Sequence, residues 1–317
     1  MNKTIVFMYS GQGSQYYGMG KELYTTNAVF RKWMNRLDEI HADLTGKSVL
    51  NVLYDDTKKS VEPFDSLLYT HPAIFMVEYA LTQVLLENGL FPDIVLGTSL
   101  GECASIAAAG CLSDEDTIRC IVKQAQLVEA SCQRGGMLAV IGDSTLYNSE
   151  LLLHSNSELV SVNYDSHFIV SGSCEQLEII EEVLKAKEVI CQRLPVQFAF
   201  HSPRIDPIAL EYTDFLKQMF IKRPTINIIS SAYGGHVTTI DNGFLWDVVR
   251  NPIHFRRALN VIGDGEERIY IDLGPMGTLS NFVKYNFGAD RRAQLYSVMT
   301  PYKRDLQNLQ NLLCISQ

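Results

Sequence analysis

Ser99 stands in Gly97-Thr98-Ser99-Leu100-Gly101, between an apolar, β-branched lead-in and an alanine-rich stretch. Gly-x-Ser-x-Gly between a strand and a helix is the pattern of a nucleophile elbow. The turn is so sharp that side chains at 97 or 101 would collide with neighbouring backbone. It pushes the serine hydroxyl outward and places the first free N–H groups of the following helix beside it, where a tetrahedral oxyanion would form. Leu100 N–H is the natural donor there. A serine nucleophile also needs a base. The chain has seven histidines, at 41, 71, 154, 167, 201, 236 and 254. His201, in FAFHSPRI, is a candidate by its place in the chain, but the residues alone do not single it out. The seven cysteines include no C-x-x-C pair, so reduced thiols packed as small apolar residues are expected, and no metal site.

These residues need a scaffold. Thr4 to Tyr9 and Ile94 to Gly97 read as short buried strands, each followed by a small-residue loop or helix. Glu22 to Leu44 is mostly helical. Pro72 opens a helix over 73–88, and Ser113 caps a long one running to about Cys132. After Arg134-Gly135-Gly136 the texture changes. A strand (137–141), a helix (145–154), a strand pair (159–163 and 168–171), a helix (174–187) and a strand (189–196) follow the ferredoxin-like β-α-β-β-α-β order. From Ser202 the alternation resumes, with helices over 203–219 and 252–262 and strands over 226–231, 269–273 and 295–298. The expected fold is therefore α/β. An α/β-hydrolase-like catalytic domain with a mostly parallel sheet (1–134 and 198–317) carries an inserted ferredoxin-like subdomain (135–197).

Bulk properties exclude several classes. A net charge of −9 argues against a nucleic-acid-binding surface. The apolar run near the N-terminus is too short for a signal peptide, and no segment is long enough to span a bilayer. A cytoplasmic protein with no membrane partner, acting as a monomer, is expected.

Four stretches occur in order: Gly11-Gln12-Gly13-Ser14-Gln15, Gly97 to Glu102, Phe198-Ala199-Phe200-His201-Ser202, and Asp272-Leu273-Gly274-Pro275. Together they resemble the malonyl-CoA:acyl-carrier-protein transacylase family, which includes polyketide synthase acyltransferases. The chain is most similar to the free-standing, trans-acting type. The resemblance implies that Ser99 is acylated by a thioester and that His201 is its base, then the acid for the leaving thiol. It further implies that the Asn251 carbonyl orients His201 and that Gln12 and Leu100 N–H groups form the oxyanion hole. No cofactor is implied; CoA or phosphopantetheine is part of the substrate, and acyl carrier protein domains are the partners. Lys222-Arg223, Arg250, Arg256-Arg257, Lys284 and Arg291-Arg292 could supply a basic docking face for an acidic carrier.

The chain departs from the family pattern around the pocket. Gln124 occupies the position of the arginine that clamps malonyl-type carboxylates. Thr98 replaces a histidine before the nucleophile, and His71 replaces a glutamine before Pro72. Phe198 replaces a common histidine, which makes the wall formed with Phe200 more apolar. Such a loss of arginine resembles proofreading acyl hydrolases of this family, which remove acyl groups from carrier proteins. A transacylase moving acetyl, malonyl or another acyl group, and a non-catalytic carrier-protein binder, are the alternatives. The acyl group, the particular carrier and the choice between water and thiol are not written in the sequence.

Overall fold

The computed structural model describes residues 3–289, 291–300 and 302–314. The outermost domain bounds expected above, 1–2 and 315–317, lie outside these. The described strands, in chain order, are β1 (Thr4–Tyr9), β2 (Ile94–Gly97), β3 (Gly135–Ile141), β4 (Glu158–Tyr164) and β5 (His167–Ser173). They continue with β6 (Ile190–Arg193), β7 (Asn227–Ser230), β8 (Gly235–Val237), β9 (Arg268–Asp272) and β10 (Gln294–Ser297).

One sheet has the order β10-β9-β1-β2-β7-β8. All its neighbours pair in parallel except β8, which returns antiparallel to β7. Val6, Phe7, Met8 and Tyr9 are all fully buried, as a continuous apolar run must be when helices cover both faces of a parallel strand. The β1–β2 register pairs Tyr9 with Gly97. The loops leaving these two strands therefore emerge side by side at the carboxyl edge of the sheet, the usual place for a site in an open parallel sheet.

The second sheet has the order β4-β5-β3-β6 and is antiparallel throughout, the ferredoxin-like arrangement. Along β3 the residues alternate. Leu138 and Val140 pack with Leu177, Ile180 and Leu184 of the helix Cys174–Ala186 in a separate small core. Met137 and Ala139 face the other way, into a cleft between the two sheets. The subdomain is fastened near that cleft: Ile253 N–H donates to Val160 O (2.7 Å), and Asn286 Nδ2 donates to Asn163 O (2.7 Å).

Several elements differ from expectation for identifiable reasons. The helix expected from Pro72 begins at Leu67 and runs to Glu87 with Pro72 inside it. Proline has no N–H for the Leu68 carbonyl one turn back. That carbonyl instead meets His41 Nε2 at 2.9 Å, which relieves the loss. The helix expected over 22–44 is two, Lys21–Thr26 and Ala28–Thr45, because extended Asn27 ends the first and caps Phe30 N–H of the second. Pro207 keeps 203–219 from forming one α-helix: a 3-10 segment, Pro203–Ile208, precedes Ala209–Leu216. The segment 145–154 holds two short helices, and 189–196 is strand only over Ile190–Arg193. The helices Phe244–Arg250 and Thr278–Phe287 and strand β8 were not expected. All seven cysteines are free, and among the described residues no helix is long and apolar enough to cross a membrane.

Candidate active site

Ser99 follows β2 with φ 53°, left-handed backbone that a non-glycine residue adopts only when its surroundings enforce it. Both flanking glycines show the enforcement. A Cβ on Gly97 would sit 2.5 Å from Glu102 Cα, and one on Gly101 would sit 2.2 Å from the Tyr9 carbonyl oxygen. Ser99 thus lies on a tight turn at the entrance to the helix Gly101–Ala108.

The loop after β1 closes against this turn. A Cβ on Gly11 would be 2.8 Å from Ser99 Cβ and 3.3 Å from Leu100 N, so only glycine permits the approach. The loop is tied down on two sides. Ser10 N–H donates to buried Glu78 at 2.7 Å, and Gln15 Nε2 donates to the carbonyls of Phe64 (3.0 Å) and Pro195 (2.9 Å). Neither Gln12 N–H nor Leu100 N–H donates to another group among the described residues, which leaves both free beside Ser99.

His201 also has left-handed backbone, φ 59°, held by its N–H donating to Val249 O at 3.1 Å. Its Nε2 lies 2.8 Å from Ser99 Oγ, and its Nδ1 lies 2.8 Å from the carbonyl oxygen of Asn251, the residue that ends the helix Phe244–Arg250. A carbonyl only accepts, so Nδ1 carries the proton and Nε2 presents a lone pair to the serine hydroxyl. Burial pushes the His201 imidazole down to about 4, against the opposing hydrogen bond to Asn251. It is therefore neutral, and a competent base, at neutral pH.

The cleft over Ser99 encloses about 1080 Å3 including its open mouth. Gln12, His71, Thr98, Leu100, Gln124 and Phe200 all line it. His71 Nε2 meets Gln12 Oε1 at 3.0 Å, and burial pushes its imidazole down to about 3. Gln124, on the helix Asp114–Ser131, is 6% exposed, and its Oε1 is 3.5 Å from the Tyr212 hydroxyl. Phe198 is a correction. It does not line the cleft but packs edge-on to Phe200, with the Arg134 guanidinium 4.7 Å over its ring. Phe200 N–H donates to Phe198 O at 3.0 Å, so the chain turns tightly at Ala199, and Phe198 is buried beside the cleft rather than in its wall.

The sequence reading missed a wall of this cleft. Asn163, His167 and Ile169 come from the subdomain sheet, and Leu279 and Phe282 from the helix Thr278–Phe287. His167 Nδ1 accepts from Asn163 Nδ2 at 3.0 Å, and burial lowers its pKa. The strand-pair turn containing His167 was the only available signal. Neither lysine nor arginine is among the described residues lining the cleft. All three of its histidines are pushed toward the neutral form, so the described lining residues supply no cation at neutral pH.

Fold and site define an acyl-transferring enzyme: residues 6–317 match the family described as acyl transferase domain, and the chain belongs to that family. It is 45% identical over 309 residues to the polyketide biosynthesis acyltransferase homolog PksD of Bacillus subtilis (strain 168), covering 98% of this chain and 95% of that protein. It is 46% identical over 312 residues to the homolog BaeD of Bacillus velezensis (strain DSM 23117 / BGSC 10A6 / LMG 26770 / FZB42), covering 98% and 96%. A loading acyltransferase from the avermectin modular polyketide synthase superposes with a TM-score of 0.88 at 23% identity over 98% of this chain and 99% of that one, a likeness of fold.

Proposed function

We propose that this enzyme acts in polyketide biosynthesis and removes neutral, monocarboxylic acyl groups from acyl carrier proteins by hydrolysis. The observation that carries the reading is a Ser99–His201 couple beneath a cleft with no cation among its described lining residues. Ser99 Oγ attacks the thioester carbonyl as His201 Nε2 takes its proton. The oxyanion is held by the Gln12 and Leu100 N–H groups. His201 returns the proton to the departing pantetheine thiol, leaving acyl-Ser99. Water then enters, gives its proton to His201, and releases the acid. A malonyl carboxylate would be buried here without a partner, and leaving such a charge unpaired costs about 2–5 kcal/mol. This disfavours loading of dicarboxylic extender units and favours clearing of carrier proteins. No redox or metal cofactor enters this sequence of steps.

Transfer of an acetyl-type group to a second carrier is the other reading, since the same acyl-enzyme would serve it. Lys222, Arg223, Arg257 and Lys284 are exposed and suit an acidic carrier, whereas Arg250 and Arg256 are engaged by Asp206 and Asp165. Acetyl-, butyryl- and malonyl-carrier proteins, incubated with the enzyme with and without a second holo-carrier, test the reading by mass spectrometry. Free acid from the neutral acyl carriers is expected. Efficient malonyl transfer to the second carrier would overturn it, and activity that survives Ser99→Ala would overturn the mechanism.

A further inference from the structure

We propose that the cleft beside Ser99 contains a binding site for the deacylating water, formed by the side chains of Gln12, Thr98 and His71; the proposal rests on the hydrolase reading above. Gln12 Nε2, Thr98 Oγ1 and His71 Nδ1 are all buried, and none has a hydrogen-bond partner. All three residues line the chamber that contains Ser99. They are not loose: His71 Nε2 donates to Gln12 Oε1 at 3.0 Å, which fixes both side chains. That bond also fixes what is left over. The Gln12 amide presents N–H donors, His71 Nδ1 presents a bare lone pair, and the Thr98 hydroxyl can do either.

Buried polar groups without partners are unfavourable, and native proteins commonly satisfy them with water that makes about three hydrogen bonds. The chemistry of this set selects its occupant. A carboxylate offers only acceptors and would oppose the His71 lone pair. An ammonium offers only donors and would oppose the Gln12 amide. An uncharged O–H group satisfies donor, acceptor and hydroxyl together, and water is the smallest. Thr98 directly precedes the acylated serine, and Gln12 lies on the loop beside it. In the step assigned to this water, its oxygen bonds to the acyl carbon and its proton passes to His201 Nε2. The bond from carbon to Ser99 Oγ then breaks, and that oxygen recovers the proton from His201. One acid and free Ser99 result, with no further reactant.

The test is the partition of the acyl-enzyme. The full-length protein is acylated from acetyl-carrier protein in 18O-labelled water with added pantetheine. The ratio of labelled acetate to acetyl-pantetheine is read by mass spectrometry for wild type, Thr98→Val and Thr98→Ser. Loss of one hydrogen bond to the water predicts a ratio about two- to tenfold lower for Thr98→Val. Thr98→Ser, which keeps the hydroxyl, should retain the wild-type ratio. A Thr98→Val ratio equal to wild type, or equal losses in Val and Ser, overturns the water site. If Thr98→Val does not fold, His71→Phe keeps a ring and removes both nitrogens, and the same fall is expected; an unchanged ratio overturns the site. A preference for 3-hydroxybutyryl over butyryl carriers that disappears in Thr98→Val would assign the site to an acyl hydroxyl instead. Wild type that yields only acetyl-pantetheine overturns the hydrolase reading together with the site. Wild type that hydrolyses, with variants that leave the ratio unmoved, overturns the site alone.

Discussion

Replacing Gln124 by arginine tests the cationless cleft directly. Gln124 is 6% exposed, and its one protein partner among the described residues is the Tyr212 hydroxyl at a long 3.5 Å. An arginine there gives up little existing bonding. It places a guanidinium in a chamber with no Lys or Arg among its lining residues and with His71, His167 and His201 all shifted toward neutrality. With no competing cation, the new charge should report on itself alone. A malonyl carboxylate meeting that guanidinium gains the roughly 2–5 kcal/mol that separates a paired from an unpaired buried charge, about 30-fold to several thousandfold in relative kcat/KM. Acetyl offers no carboxylate and gains nothing. In the ligand-free protein the guanidinium is half-solvated at best, so Tm should fall. The assay is acylation of Ser99 by equimolar acetyl- and malonyl-thioesters, with the two acyl-enzymes resolved by mass. Malonyl should rise against acetyl by at least the lower bound. An unchanged ratio in a folded Gln124→Arg protein would refute the argument that charge at this position sets acyl choice.

Three further outcomes follow from the same geometry. With His201 held down to about 4, the acid limb of kcat/KM should fall near pH 4, with activity lost below it; a limb at the ordinary histidine value near 6.5 would contradict the buried, neutral base. Gly101→Ala should strongly destabilise the protein or prevent folding, because its methyl would stand 2.2 Å from the Tyr9 carbonyl; a Tm within a degree of wild type would contradict the elbow packing. Glu102, buried and bonded through one oxygen to Ser230, Ser231 and Ala232, is pushed up to about 7 by burial. An acid raised in the folded state holds its proton while the unfolded chain has released it, so stability falls as pH rises from 4.5 through 7, by on the order of 3 kcal/mol for this group. Glu102→Gln should therefore gain stability relative to wild type across that window in denaturant melts; a difference independent of pH would show that Glu102 does not titrate there.

What the sequence reveals of this site depends on whether the constraint is local. The turn at Ser99 is legible because its steric demand falls on Gly97 and Gly101, two residues either side, where a short pattern can record it. The ferredoxin-like insertion is legible because its short apolar runs, 137–141 and 168–171 among them, and the order of the elements around them are also written locally. His201 is different. Its pairing with Ser99 spans 102 positions, and only the resemblance carried by four motifs together set it apart from six other histidines. The helix start at Leu67 was hidden because the group that tolerates Pro72, His41, lies on another helix. The far wall of the cleft was hidden for the same reason: Phe282 and His167 reach it through packing of two domains. The orphaned atoms of Gln12, Thr98 and His71 are the extreme case, since lacking a partner is a property of the whole surrounding shell. Substitution at one such position tests the shell as well as the residue. Thr98→Val keeps the shape of the shell and deletes a hydroxyl, so it can separate a site for water from simple packing around Ser99.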